Sequence, residues 1–166
     1  SILGGMTQGS PYPTYAEGVV RAQASQYLKF EPGTNAVYTN DGFSILEVLV
    51  KRVSGMSFVD FVQREIFDVL GMNSSRFLVS QLPKGSFAVP NPADDFPADS
   101  YLNMYGTGGV FSSVADMAKF AASFLTPGRL LSAESIRKMG EDQTKDMFYP
   151  IGREDAFRYG LGWDSY

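Results

Sequence analysis

Three amphipathic segments, each ended by a glycine, limit what this chain can fold into. The first begins at a capping box formed by Thr14 and Glu17, in which a hydroxyl and a carboxylate satisfy the open amides of a helix start. Apolar side chains then continue at helical spacing as far as Tyr27 and Leu28, and Pro32-Gly33 ends the segment. The pattern predicts a first helix from about residue 14 to residue 28.

The second and third segments predict a helical hairpin. The second helix is predicted from Asn40 or Asp41 to a cap at Gly55, and the third from the N-cap Ser57 to Gly71. The side chains predicted to face the core are Phe43, Leu46, Leu49, Val50 and Val53 in the second helix, and Phe58, Phe61, Val62, Ile66, Val69 and Leu70 in the third.

The rest of the chain is less regular. Residues 1–13 are predicted as loop, and residues 81–105, rich in proline, acids and aromatics, as a long loop without regular structure. A further helix is predicted from Ser113 to Pro127-Gly128 and a short one from Ser132 to about Met139; residues 159–166 predict a strand. The inner face predicted for the longer helix is Met117, Phe120, Ala121, Phe124 and Leu125.

Composition excludes several classes of protein. The 166 residues contain no Cys and no His, so a disulfide framework is excluded and a zinc or iron–sulfur centre nearly so. The 14 basic residues are scattered in a chain of net charge −4, which argues against nucleic acid as a partner. No run of apolar residues is long enough to predict a membrane span. Without His, any proton transfer must use Tyr, Lys, Asp or Glu.

Both ends of the chain indicate an interior piece of a longer protein. The sequence starts at Ser1 with no basic or hydrophobic leader, and the strand predicted near Tyr166 has no partner after it. We expect the open edge of that strand to favour self-association. The acidic pair Asp94 and Asp95 is predicted as solvated loop, because no alternating oxygen-ligand spacing follows it, and no metal site is predicted.

One short motif could carry chemistry, the triplet Tyr38-Thr39-Asn40 at the predicted start of the second helix. Chance predicts about 0.3 such Tyr-x-Asn triplets in a chain of this composition, and a second copy occurs at Tyr101-Leu102-Asn103. The triplet alone is therefore not specific. Without further context, Tyr38 could pack at a helix start with its hydroxyl in water, and Asn40 could serve as an N-cap.

Context separates the two copies. The segments 30–46, 53–56, 70–74, 108–120 and 159–163 follow one another in an order that resembles the serine β-lactamase and penicillin-binding-protein-like family. The similarity is to the branch with Tyr-x-Asn as second motif: class C β-lactamases, D-amino-acid peptidases and related esterases. It implies a partial domain over 1–166, a single unit of α+β fold, mainly helical over about 14–140 with strand remnants over about 141–166.

The resemblance also implies a reaction and a site. In the family, a serine of a Ser-x-x-Lys motif forms an acyl ester with a β-lactam, a D-amino-acid peptide or a small ester, and no cofactor takes part. Tyr38 would help to activate that serine and relay a proton, and Asn40 would orient the substrate carbonyl group. The second triplet's Tyr101, together with Tyr105 and Gly108, would lie beside the substrate cleft.

The catalytic motifs on either side of Tyr-x-Asn are missing from this sequence. Its one Ser-x-x-Lys, at Ser135 and Lys138, follows Tyr38 on a predicted surface helix, so no nucleophile is assigned. An ordinary phenol is only about 0.1% ionised at pH 7, and making it a base costs about 4 kcal/mol unless cations lie beside it. The chain by itself is therefore predicted to be inactive, whereas the intact parent is predicted to be an exported hydrolase acting on a small-molecule or peptide substrate.

Two other classes of function stay open at the level of sequence. One is a non-catalytic binding or scaffold module that kept the fold and lost the chemistry. The other is a stand-alone helical interaction domain whose likeness to the family is accidental.

Overall fold

The structure is a computed structural model that describes residues 6–8, 15–78, 81–88, 100–145, 147–148 and 158–165. The chain divides into two compact units, Ser1–Ser25 with Asn40–Phe120 and Gln26–Thr39 with Ala121–Tyr166. That residues 1–166 form one domain stays a prediction. Thr14 of the predicted capping box and the loop acids Asp94 and Asp95 lie outside the described residues.

The fold is α+β and mainly helical, as predicted. The helices are α1 (Tyr15–Gln23), α2 (Asp41–Ser54), α3 (Phe58–Val62), α4 (Asp68–Leu70), α5 (Val114–Leu125) and α6 (Ala133–Gly140). The strands are β1 (Met6–Gln8), β2 (Ser100–Leu102), β3 (Arg158–Tyr159) and β4 (Asp164–Ser165). Antiparallel pairing joins β1 to β2 and β3 to β4.

Helix α1 is shorter than predicted. It ends at Gln23, and Tyr27 and Leu28, expected on its inner face, are exposed. The hydroxyl of Ser25 donates to the carbonyl of Ala22 at 2.9 Å, a local bond that competes with continuation of the helix.

Helix α2 begins and ends where the sequence predicts, with Gly55 in the left-handed conformation that glycine adopts without strain. Its predicted inner face is wrong. Ser44 and Val48 are the buried residues, whereas four of the predicted side chains are exposed: Phe43, Leu46, Leu49 and Val53. Because α2 is apolar around most of its circumference, periodicity alone does not single out the face that packs against α1 and α3.

The third predicted helix is one helical run with a change of pitch. Ser57 caps it as predicted, accepting the N–H of Asp60 at 3.0 Å, and Gly71 ends it. A π-helical segment, Gln63–Phe67, lies between α3 and α4. The wider turn shifts the helical phase, so that Phe67 rather than the predicted Ile66 is buried, and Val69 is exposed.

Two regions predicted as loop contain the strands β1 and β2. Met6 pairs with Leu102 and Gln8 with Ser100, so residues far apart in sequence form the ladder. Three-residue strands carry too short an alternation to be recognised locally, and their pairing is decided by tertiary contacts.

The core of the first unit contains an aromatic cluster that includes two rings of the third helical run, those of Phe58 and Phe67. The ring of Phe77 lies 6.0 Å from those of Phe58 and Phe67, and 5.6 Å from that of Tyr105. Next to Phe77 in sequence, Arg76 forms an isolated antiparallel bridge with Phe111. Among the described residues, the other buried apolar ones are Ala16, Val48, Val62, Leu70, Met72 and Met104.

Helix α5 differs from its predicted orientation. Met117 and Leu125, expected inside, are exposed, whereas Asp116 is buried. The polar residue takes the inward position because its carboxylate has hydrogen-bond donors there, and a buried charge needs such donors.

In the second unit, the predicted C-terminal strand is instead a hairpin. The N–H of Gly160 donates to the carbonyl of Trp163 at 2.7 Å, between β3 and β4, and Gly162 has a φ of 89°. The Trp163 ring meets that of Phe124 edge-on at 4.9 Å. Tyr159, predicted to share one strand with Trp163, therefore ends β3, and Trp163 lies in the turn that precedes β4; the left-handed conformation of Gly162 permits this turn.

Candidate functional site

Tyr38 lies at the surface of the second unit, on a segment fixed by backbone pairing. The carbonyl of Thr34 accepts the N–H of Phe148, and the N–H of Ala36 donates to the carbonyl of Phe148, both at 2.9 Å. Tyr38 follows two residues later and is 71% exposed. An anchored segment therefore presents the phenol at the surface and not in a closed core.

Asn40 immediately precedes α2 in the first unit. Its backbone carbonyl accepts the N–H groups of Phe43 and Ser44 at 3.1 and 3.2 Å, which starts the helix. Its side chain makes no capping hydrogen bond, and its backbone is helical, with φ −77° and ψ −27°. The reading of Asn40 as a side-chain N-cap is therefore wrong, because an N-cap has extended backbone and uses its side chain as acceptor.

The other predicted substrate-binding residues lie on or near the loop that follows β2. Tyr101 is in β2, opposite Thr7. The ring of Tyr105 packs against Phe77, so its described contact is with the core. Gly108 is half-buried, three residues further on. Contact of these residues with a substrate stays a prediction.

The Ser-x-x-Lys sequence lies on a surface helix, as predicted. No residue of α6 is buried. Lys138 pairs with Glu134 at 2.9 Å, and the hydroxyl of Ser135 lies 3.0 Å from that of the N-cap Ser132. These contacts are those of an ordinary capped and charged helix surface.

Sequence reasoning missed Glu47, a half-buried carboxylate on α2. Its Oε2 accepts the N–H of Gly106 at 2.9 Å, and the N–H of Tyr105 donates to the same carboxylate. Burial raises the pKa of Glu47, while these two donors act in the opposite direction. The sequence feature that could have identified Glu47 is a charged residue in the apolar middle of the predicted helix, at helical spacing from Asn40 and Ser44.

Asp116, in the first turn of α5, has contacts that the sequence does not indicate. Its carboxylate accepts the N–H of Ser74 at 2.7 Å and the hydroxyl of Ser75 at 3.0 Å, and it pairs with Lys119 at 2.7 Å. The Lys119 ammonium also donates to the carbonyl of Gly71. This network joins the end of α4 to the start of α5.

In the described part of the chain, no group of three or more His, Cys, Asp or Glu side chains is arranged to hold a metal ion. None of the helices within those ranges has the length and hydropathy that crossing a bilayer requires.

The fold and the residues around α2 define the class of the protein. The fold is α+β and mainly helical, and an exposed tyrosine lies two residues before the asparagine at which helix α2 starts. The family model described as Beta-lactamase matches residues 3–166, and the chain belongs to the beta-lactamase family.

Individual proteins agree with this assignment. Penicillin-binding protein 4* of Bacillus subtilis (strain 168) is 26% identical over 153 residues, 81% of this chain and 32% of that protein. The D-alanyl-D-alanine-carboxypeptidase/endopeptidase AmpH of Escherichia coli (strain K12) is 27% identical over 143 residues, 82% of this chain and 36% of that protein. The chain thus spans about a third of the length of these relatives.

A solved structure has the same fold. The D-amino acid amidase from Ochrobactrum anthropi SV3, complexed with L-phenylalanine, superposes with a TM-score of 0.70 at 19% identity. The match covers 99% of this chain and 48% of the amidase chain. The arrangement of helices and short strands described above is therefore that of part of such a domain.

Proposed function

We propose that the full-length gene product is a serine hydrolase that works through an acyl-enzyme ester, with Tyr38 and Asn40 in its active site. The observation that carries the proposal is the exposure of Tyr38, 71%, on a segment anchored by backbone hydrogen bonds. A catalytic phenol must reach solvent or substrate, whereas a tyrosine kept for packing buries its ring. Membership of the beta-lactamase family supports the same reading.

Each residue has a distinct role in this proposal. Tyr38 helps to take the proton from the nucleophilic serine and passes it to the leaving group. Asn40, whose side chain does not cap α2, orients the substrate by hydrogen bonds to its amide or ester group. We assign no nucleophile within these 166 residues, because Ser135 and Lys138 are held on a helix surface by contacts with Ser132 and Glu134.

The names of the relatives support a proposed substrate class. AmpH is named a D-alanyl-D-alanine carboxypeptidase and endopeptidase, which supports a D-amino-acid peptide, with β-lactams and small esters as compounds of similar acyl chemistry. We further propose that the protein is exported, as expected for an enzyme acting on such peptides. Cell fractionation of the full-length gene product would test this.

Covalent labelling tests the proposal. Mass spectrometry of the full-length gene product incubated with a penicillin or an organophosphonate should show one adduct. Tyr38→Phe should lower turnover of a nitrophenyl ester or a chromogenic cephalosporin by about 10²-fold or more. It should leave the melting temperature nearly unchanged, because the side chain is mostly exposed.

Tyr27→Phe is the matched control, since Tyr27 is also an exposed tyrosine of the second unit. It should leave turnover unchanged. Absence of any adduct, or equal turnover by the two variants, would rule the proposal out. The 166-residue chain alone should show neither adduct nor turnover; turnover abolished by Tyr38→Phe in that chain would contradict its proposed inactivity.

A further inference from the structure

Glu47 lies on the inward face of α2, two helical turns beyond Asn40. Residues 40, 44 and 47 share one side of a helix, and seven residues correspond to about 10 Å along the axis. Ser44 is fully buried, and Glu47 itself is half-buried. The side of α2 that begins at Asn40 therefore includes a buried serine, Ser44, and then the half-buried carboxylate of Glu47.

The contacts of that carboxylate are backbone amides. It accepts the N–H of Gly106 at 2.9 Å and the N–H of Tyr105. Among the residues that the structure describes, no lysine or arginine nitrogen lies within 4.0 Å of it. Hydrogen bonds to a charged acceptor are stronger than those between neutral groups, so Glu47 holds a loop and does not form an ion pair.

Gly106 allows the loop to lie directly on the helix. A Cβ at this position would collide with the backbone carbonyl oxygen of Phe43 and would lie 3.1 Å from the Cβ of Glu47. The loop is also closed on itself, because the N–H and the hydroxyl of Thr107 both donate to the carbonyl of Met104, at 3.0 and 2.9 Å. A closed turn with one face against α2 has little freedom to shift except by leaving the helix.

We propose that Glu47 is a positioning residue that fixes the loop 105–108 against α2, so that the loop forms a wall of the active site against which a large acyl group packs. The inference rests on the proposed function, in which Asn40 orients the substrate, and on the prediction that Gly108 lies beside the substrate cleft. Asn40 and Gly108 both belong to the first unit. The hydrogen bond from Gly106 to Glu47 fixes the distance between the loop and α2, the helix that follows Asn40. A loop released from α2 would widen that side of the cleft and bind a large acyl group less tightly.

The test compares two readouts in the full-length gene product. The first is amide exchange of Tyr105 and Gly106, which Glu47→Ala should accelerate about tenfold through loss of a charged acceptor. The second is steady-state hydrolysis of p-nitrophenyl acetate and p-nitrophenyl phenylacetate. Glu47→Ala should raise KM for the phenylacetate about fivefold more than for the acetate, with kcat within about twofold, as expected when uniform binding is lost.

Two further variants test whether the change in KM comes from the contact between the loop and α2. Glu47→Gln keeps one acceptor oxygen and should show intermediate changes. Gly106→Ala leaves Glu47 intact but pushes the loop off the Phe43 carbonyl, so it should give the same split in KM. Glu134→Ala, which removes an exposed carboxylate of α6, is the matched control and should change neither readout.

The proposal is overturned if Glu47→Ala leaves both amides protected, or if kcat falls equally for the two esters. Should Glu47→Ala fail to fold, Glu47→Gln and Gly106→Ala decide the question by the same two criteria. Failure of the proposed function has a different signature: hydrolysis would be insensitive to Tyr38→Phe or absent from the wild type. In that case the substrate-size part of the proposal falls with it, and amide exchange alone decides whether Glu47 anchors the loop.

Discussion

The carboxylate of Asp116 accepts the backbone N–H of Ser74 at 2.7 Å, across 42 residues of sequence. Asp116 is 2% exposed and also accepts the hydroxyl of Ser75 at 3.0 Å. Asp116→Ala would remove the acceptor shared by the Ser74 N–H and the Ser75 hydroxyl and would break the ion pair with Lys119. We expect the free energy of unfolding to fall by about 3 kcal/mol, measured by urea denaturation.

The variant Asp116→Asn shows how much of the stabilisation depends on the charge of Asp116 and how much on its shape. Asp116→Asn keeps an acceptor oxygen for Ser74 and should lose less stability than Asp116→Ala. Glu134→Ala, on the surface of α6, should change stability by no more than about 0.5 kcal/mol. A loss of less than about 1 kcal/mol in Asp116→Ala would contradict the importance given to this network.

Acid should weaken the same network. The hydrogen bond from Lys119, with others from Ser74 and Ser75, holds the pKa of Asp116 below its usual value, although burial acts to raise it. A depressed folded-state pKa gives a stabilisation that is complete above the unfolded-state pKa of about 3.9 and is lost as pH falls through the folded-state pKa.

The stability gap between wild type and Asp116→Asn should therefore be constant between about pH 5 and pH 7 and shrink below about pH 4. Urea titrations at a series of pH values measure it. A gap that stays the same or widens at pH 3 would show that Asp116 is not ionised in the way its contacts imply.

Two buried serines provide a matched comparison of a satisfied and an unsatisfied hydroxyl. Ser44 and Ser75 are both 0% exposed. The hydroxyl of Ser75 meets Asp116 and Ser112, whereas that of Ser44 has no hydrogen-bond partner among the described residues. Ser75→Ala should lose about 1–2 kcal/mol of stability, and Ser44→Ala should be neutral or stabilising.

Thermal unfolding of the two variants side by side is the measurement. Alanine also favours the helix at position 44, which adds to the expected gain. Equal destabilisation by both substitutions would mean that shape at these positions matters more than hydrogen bonding.

Local signals in the sequence were enough to place the ends of α2 and the cap of the third helix. Gly55 and Ser57 act through contacts within a few residues, and such contacts can be predicted from the chain alone. The inner face of α2 was not predictable, because its apolar residues surround the helix and the buried positions Ser44 and Val48 are chosen by its neighbours.

The residues of the candidate site also differ in whether the sequence alone could identify them. Tyr38 and Asn40 are adjacent to a helix start and could be named from the sequence. Glu47 could not, because its partners Tyr105 and Gly106 come from a loop that folds onto α2 from almost sixty residues away, and no local pattern records that contact. The one feature that could have drawn attention to Glu47 is its position as the charged residue in the otherwise apolar middle of α2.

The β3–β4 hairpin is the basis for the last prediction, self-association. Within the described residues these strands pair only with each other. Tyr159 in β3 is also bonded to Gln143 and Thr144, so β4 is the strand whose outer edge has no partner strand among those residues. Leu161 and Trp163 in its turn are exposed, at 56% and 42%. Both features favour pairing with a second copy, so light scattering of the 166-residue chain should show a mass that rises with concentration.

Substitution at the hairpin tests where the association occurs. Leu161→Lys places a charge on the exposed turn and should shift the increase in mass to higher concentration, since charges at strand edges oppose pairing. Leu125→Lys is the control, because Leu125 is a more exposed leucine at the end of α5. A monomer at all concentrations would refute self-association, and equal effects of the two lysines would place it away from the hairpin.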